Sequence, residues 1–140
     1  MATLDAIHTA SQHHAPMESQ PTARLIANFG IEGDRCAREG RNGQILIMPA
    51  EVLDRLEIFP GDVRENLTTR GIEIMKLQPG ARIRVGAALL EVVKPATPCE
   101  RMDEVRYGLR EELAGQRGML CRIISGGVVK VGDRVGVETM

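Results

Sequence analysis

Aromatic side chains are almost missing from this sequence: its 140 residues hold no Trp, one Tyr (Tyr107) and two Phe (Phe29 and Phe59). Single-stranded nucleic acid is gripped by stacking on aromatic faces and by basic grooves. Here 18 basic residues are mixed among 19 acidic ones for a net charge of −1, so nucleic acid is not an expected partner. No apolar run approaches the roughly 20 residues of a membrane span, and no membrane association is expected. The opening stretch MATLDAIHTASQHHAP has no basic segment followed by an apolar core, so it does not read as a secretory signal. Cysteine is sparse too. Cys36, Cys99 and Cys121 are odd in number and widely spaced, which does not make a disulfide framework. Together these absences point to the reducing cytoplasm. The histidines (His8, His13, His14) all lie near the start of the chain, and neither an HxxxH nor a CxxC pair occurs. A structural zinc and a Ser-His-Asp arrangement are therefore not expected.

What is present is glycine, proline and short aliphatic runs. A chain of 140 residues fits one domain, with a core that must be aliphatic. Fifteen glycines and seven prolines punctuate it at short intervals, as short strands joined by tight turns would require. Strands are expected over 4–10, 24–27, 45–48, 63–69, 82–85, 88–93, 119–124, 128–131 and 134–137. Gly126-Gly127 reads as a hairpin turn. Pro49 opens a helix over 50–56, since proline suits a first helical turn. A second helix is expected from about Asp103 to Ala114, where Met102, Val105, Leu109 and Leu113 recur at three- and four-residue intervals. Asp103 suits its N-cap and Gly115 its end. The fold class expected is mainly β: a closed or nearly closed barrel of short strands with two short helices, since closure hides strand edges.

Cys99 has the most suggestive setting for chemistry. It follows Pro98 at the end of an apolar strand and precedes a helix, where aligned N–H groups favour a thiolate. A thiolate can be a nucleophile, a carrier of sulfane sulfur or a soft metal ligand. On position alone, burial as a small hydrophobe is the ordinary fate of a free cysteine. Cys36 lies beside Arg35 and Arg38 in the glycine-rich, charged stretch 30–43, and it reads equally as a second functional thiol or as an incidental surface residue. Cys121 sits in an alternating strand and reads as core. Loop glycines with Arg35, Arg38 and Arg41 suit an anion such as phosphate, although the stretch matches no phosphate-loop or dinucleotide fingerprint. Glu65-Asn66 interrupts its apolar strand, which fits either a site lining or a polar outer face.

These pieces, in this order, resemble the MOSC family, the domain at the C-terminus of molybdenum-cofactor sulfurase. Gly30-Ile31-Glu32-Gly33-Asp34-Arg35 resembles its glycine-bounded GDR segment, and Gln44-Ile45-Leu46-Ile47 its following strand. Glu65-Asn66-Leu67-Thr68-Thr69 with Gly71 resembles its ENLTTxG motif, and Pro98-Cys99 its central PC. The runs 79–85, 115–122 and 126–133 are similar to its remaining strands, so the likeness spans almost the whole chain as one domain, 1–140. The resemblance implies a β-barrel and makes Cys99 the functional residue. It also places Gly33, Asp34, Arg35, Glu65 and Asn66 at a cofactor site. Three departures stand out: Cys36 occupies a position where the family commonly has histidine, Arg41 is displaced from Gln44, and Arg64 stands where many members have glycine.

Three functions follow. In the first, Cys99 is a sulfur carrier in molybdenum-cofactor or related metal–sulfur metabolism, supplied by a cysteine desulfurase, so that pyridoxal phosphate enters only through that partner. In the second, Cys99 ligates molybdenum in a cofactor-dependent reductase of N-hydroxylated compounds. In the third, the domain is a non-catalytic binding module. The expected partners are accordingly a desulfurase or a molybdenum-cofactor enzyme.

Overall fold

A computed structural model describes residues 2–138. Its centre is β5 (Ile45–Pro49), all five residues of which are buried. A strand covered on both faces must be apolar throughout, and ILIMP is. Pro49 keeps an extended backbone (φ −73°, ψ 130°) and starts α1 (Ala50–Leu56) directly from the strand, as the sequence predicts. Glu57 then adopts φ 57° and ends the helix. The chain returns as β6 (Leu67–Arg70), which runs parallel to β5. This β5–α1–β6 crossover accounts for the parallel pair, because parallel strands need a crossover connection.

The remaining strands of the large sheet are β1 (Thr3–Thr9), β2 (Glu18–Gln20), β7 (Arg82–Val85), β8 (Ala88–Pro95), β9 (Met119–Ser125) and β11 (Val135–Glu138). Their order is β11-β7-β8-β9-β5-β6-β1-β2. A second sheet holds β10 (Gly127–Lys130), β3 (Thr22–Ile26) and β4 (Gly30–Ile31) in the order β10-β3-β4. In β1, Leu4 and Ile7 are both fully buried although three residues apart. A register shift against β6 between Leu4 and Ala6 resets the alternation and turns both inward.

The fold is mainly β, and neither sheet closes on itself as a barrel. The reason lies in the free edge of β1, which is divided between two partners. Its residues 7–9 pair with β2. Its start meets the chain just before β11 through one bridge, Thr3 with Arg134, flanked by Leu4 N–H to Asp133 O at 2.8 Å and Val135 N–H to Ala2 O at 3.0 Å.

Three further expectations change. The 103–114 helix is two four-residue pieces, α2 (Met102–Val105) and α3 (Leu109–Glu112). Gly108 between them takes φ 87°, outside the right-handed helical region. Met102, Leu109 and Leu113 are buried as the stripe requires, whereas Val105 is exposed. Asp103 does cap a helix, though not its own: its Oδ1 accepts the Arg110 N–H at 3.0 Å. Gly126-Gly127 is not a hairpin turn, because β9 and β10 lie in different sheets. A Cβ on Gly126 would sit 2.5 Å from the Leu25 carbonyl oxygen, so glycine lets the chain cross there. The short strand β2, which has no apolar alternation, escapes the sequence reading.

The core has two parts. The larger fills the space between the sheets with Leu4, Ile7, Leu25, Ile47, Leu67, Leu90 and their neighbours. The smaller joins α1 to the α2–α3 region through Met48, Leu53, Val63, Met102, Leu109 and Leu113, with Cys99 packed against it. Among the described residues, no helix is long and apolar enough to cross a membrane.

Candidate functional site

Glycine 33 takes φ 85°, which turns the chain sharply after β4. Asp34 is thereby driven inward. Its Oδ1 accepts the Ala10 N–H at 3.0 Å and its Oδ2 accepts the Cys36 N–H at 3.1 Å. The Arg35 N–H donates to the Ala10 carbonyl at 2.7 Å. The Asp34 carboxylate thus fixes the loop to the end of β1 and holds Arg35 and Cys36 outward.

Asn66 does the corresponding work one strand away. Its Oδ1 accepts the Leu46 N–H at 3.0 Å, and its Nδ2 donates to the His8 carbonyl at 3.1 Å. Its backbone N–H donates to Leu46 O, and its carbonyl accepts from His8 N–H. One side chain therefore ties β5, β6 and β1 where parallel pairing begins. Glu65 is fully buried. Its Oε2 accepts the Gly61 N–H and the Thr68 hydroxyl, both at 3.0 Å, while Oε1 has no partner. Burial pushes this carboxyl above the ordinary carboxylate value, and the two hydrogen bonds oppose the shift. Gln44 braces the opposite side: its Oε1 accepts the Ile123 N–H at 3.0 Å.

Around this frame lies a cleft of about 290 Å³ whose charged and thiol lining is Arg35, Cys36, Arg64, Lys94 and Arg117, joined by Asn66. No carboxylate among the described residues lines it. Arg64 is held at φ 62° and donates from Nη2 to the Ala15 carbonyl at 2.8 Å. This left-handed backbone is one that glycine adopts without strain and a branched side chain does not. Arg117 donates from Nη1 to Thr97 O at 2.6 Å and from Nη2 to Val63 O at 3.1 Å. Burial lowers the pKa of both Arg64 and Arg117, and neighbouring arginines add to the effect. In Arg35, Arg64 and Arg117 alike, the Nε–H is buried without a partner. Arg35, Arg64, Lys94 and Arg117 thus give the cleft a positive lining, the kind of surface that suits an anionic group.

Cys99 is half-buried on the loop after β8, and its carbonyl accepts the Met102 N–H at 3.0 Å. The helix that follows has only four residues, so the aligned N–H groups expected from the sequence reduce to a single turn. The cation tied to this segment is instead Arg117, which is bonded to the Thr97 carbonyl two residues before Cys99. Cys36 is half-buried and Cys121 fully buried. Burial pushes the Cys121 thiol up to about 12, which makes it inert.

Of the residues singled out in the sequence, Arg35, Cys36 and Asn66 line the cleft, whereas Cys99 does not line it and follows the lining residue Thr97 by two positions. Asp34 and Glu65 stand behind it, bonded to the chain itself. Gly33 faces a separate cleft with Thr9, Glu18 and Glu32. Arg117 is absent from the sequence reading. Nothing in the run Gly115-Gln116-Arg117-Gly118 marks it, because its role depends on carbonyls at positions 63 and 97. Among the described residues, no group of three or more His, Cys, Asp or Glu side chains is placed to hold a metal ion.

A family model, the MOSC domain, matches residues 34–136. The chain belongs to the MOSC domain family. That family is associated with molybdenum-cofactor-related sulfur metabolism in general. Solved structures agree on the fold. The YuaD protein from Bacillus subtilis superposes with a TM-score of 0.83 at 18% identity, covering 100% of this chain and 97% of its own. YiiM from Geobacillus stearothermophilus gives 0.80 at 17% identity, covering 99% and 76%. YiiM from Escherichia coli gives 0.70 at 20% identity, covering 99% and 70%. No curated protein sequence matches the chain. The family match runs from the Asp34 turn to the last strand, so every cleft residue named above falls inside it.

Proposed function

We propose that this MOSC domain is a sulfur carrier: Cys99 accepts a sulfane sulfur, and the arginine cleft beside it binds the anionic group of the donor or recipient. The observation that carries the reading is a cleft lined by Arg35, Arg64, Lys94 and Arg117, with Arg117 bonded to the Thr97 carbonyl two residues before the half-buried Cys99. In loading, the Cys99 thiolate attacks the outer sulfur of a persulfide on a cysteine desulfurase. The donor's S–S bond breaks, a new S–S bond forms on Cys99, and the donor leaves as a thiolate that takes up the proton. Sulfane sulfur changes hands with no net oxidation. Pyridoxal phosphate belongs to that partner. Asp34 and Asn66 hold the cleft walls, while Arg35, Arg64 and Arg117 bind charge and hold the partner group in register.

The same cleft favours a second reading. Its donor set fits the molybdenum cofactor, with the three arginines on the phosphate and Cys99 as the thiol ligand. When bound, that cofactor would supply two-electron reduction, as of N-hydroxylated compounds.

The test is incubation of the purified protein with a cysteine desulfurase and cysteine, followed by peptide mass spectrometry. A gain of about 32 Da on the Cys99 peptide, absent from Cys99→Ala, is the expected result. An unmodified Cys99 peptide overturns the carrier reading, and stoichiometric molybdenum in the purified protein would favour the second one.

A further inference from the structure

Arg64 lines a second cavity as well as the arginine cleft. This cavity holds about 310 Å³, at the small end of ligand sites, which run from about 300 to 1,000 Å³. Two chain segments supply its charges, and each brings one cation and one anion. Asp62 and Arg64 come from the turn before β6, and Arg101 and Glu104 from the start of α2. The cleft differs, since among the described residues it has no carboxylate in its lining.

The charged groups of the cavity are largely uncommitted. Asp62 accepts the Phe59 N–H through Oδ2 at 2.8 Å, and Arg64 donates from Nη2 to the Ala15 carbonyl. Among the described residues, Asp62 Oδ1 and Arg64 Nη1 have no such bond. Arg101 and Glu104 approach one another only to 4.0 Å, beyond hydrogen-bond distance. His8 packs against Gly61, where a Cβ would come within 2.8 Å of its Cδ2. Its Nδ1 is buried without a partner, and burial lowers its pKa against the opposing pull of Asp62. The imidazole is therefore neutral at pH 7, and the arginines and carboxylates of the cavity balance. Met17, Pro60, Met102 and Val105 supply an apolar surface beside them.

A ligand suited to this lining is small, carries both charges close together and has an apolar body. A lone anion would meet the two carboxylates, and a lone cation the two guanidiniums. We propose that the cavity binds a free α-amino acid with an apolar side chain. Its carboxylate pairs with Arg64 and Arg101, and its ammonium with Asp62 and Glu104. Its side chain lies against Met17, Met102 and Val105. The inference does not depend on the carrier reading.

The test titrates the isotope-labelled protein with L-methionine and follows the backbone amide shifts. Saturable shifts are expected at Gly61, Asp62, Glu104 and Val105, near completion at about 10 mM for a Kd of about 1 mM. N-acetyl-L-methionine lacks the ammonium and L-methioninamide lacks the carboxylate. Each should bind about tenfold more weakly, for the loss of a charged hydrogen bond. Arg101→Gln and Glu104→Gln break no hydrogen bond of the fold and give up only an exposed ion pair. Both should weaken L-methionine by about tenfold with melting temperature unchanged. Absence of saturable shifts overturns the inference, as does equal binding of either blocked compound or full affinity in both variants. Saturable shifts confined to Lys94 and Ala96 in the cleft also overturn it. The compound series needs no variant, so it decides the matter even where a substitution disturbs the fold.

Discussion

Arg117 donates to the carbonyl oxygen of Thr97 at 2.6 Å while its second terminal nitrogen reaches Val63. One guanidinium therefore ties the segment carrying Cys99 to the turn that leads into Glu65 and Asn66. A lysine offers a point charge without the fork that spans two carbonyls.

Replacing Arg117 with Lys should accordingly uncouple charge from position. Stability is expected to fall by about 1–2 kcal/mol for the lost hydrogen bonds, read by urea denaturation. Persulfide loading of Cys99 should fall further than in a Lys94→Ala control, even though the cationic charge at position 117 is kept. Loading equal to wild type would show that charge alone is what Cys99 requires.

Asn66 makes a sharper case for structure. Asn66→Leu is close in size but leaves the Leu46 N–H and the His8 carbonyl unsatisfied. Each buried orphan costs about 1–3 kcal/mol, so thermal melting should show one of the larger losses among single polar substitutions. Asn66→Asp should recover the Leu46 bond alone.

Glu65 sets a pH dependence whose sign follows from burial. Its folded-state pKa lies above the ordinary value of 4.5. As pH rises past 4.5, the unfolded chain loses this proton before the folded one does, so the contribution of Glu65 to stability falls until the folded pKa is passed. Glu65→Gln removes that titration. The stability of the variant relative to wild type should therefore rise with pH above about 4.5 and level off below it, as measured by denaturation at a series of pH values. A flat difference across that range would contradict the assignment.

Two glycines separate strain from collision. A Cβ on Gly118 would fall on the Ile47 carbonyl oxygen, against rigid strand backbone. Gly118→Ala should cost more than about 4 kcal/mol and deplete soluble protein. Gly108 has the same left-handed backbone but open space around it, so Gly108→Ala should cost only about 1–2 kcal/mol. Chemical denaturation of both variants checks the contrast.

The legible parts of the sequence were those governed by local rules. Pro49 after an apolar run announced both the end of β5 and the start of α1. Apolar alternation announced β7, β9 and β11. The break at Gly108 was hidden because the stripe Met102–Leu109–Leu113 keeps its spacing across two separate turns. Strand β2 was hidden because an edge strand paired to β1 needs no apolar face. At the site, Cys99 stood out by position, and Cys36 and Arg64 stood out as departures from the pattern of the family. Arg117 did not, since its partners are 20 and 54 residues away in sequence, a distance that periodicity does not reach.

The inward turn of Asp34 beside the outward Arg35 and Cys36 has its mirror in Arg64 beside Glu65 and Asn66. Anchors and cleft-lining groups are thus immediate neighbours along the same two loops. A point substitution at 35, 36 or 64 can therefore retune the chemistry of the cleft while the bonds of its neighbours hold the loop in place. A single-residue deletion ahead of either loop would instead move a guanidinium into the place of Asp34 or the Glu65 carboxylate into the place of Arg64. Evolution of new specificity in such a domain is thus expected to proceed by replacement at these positions, with loop length held fixed.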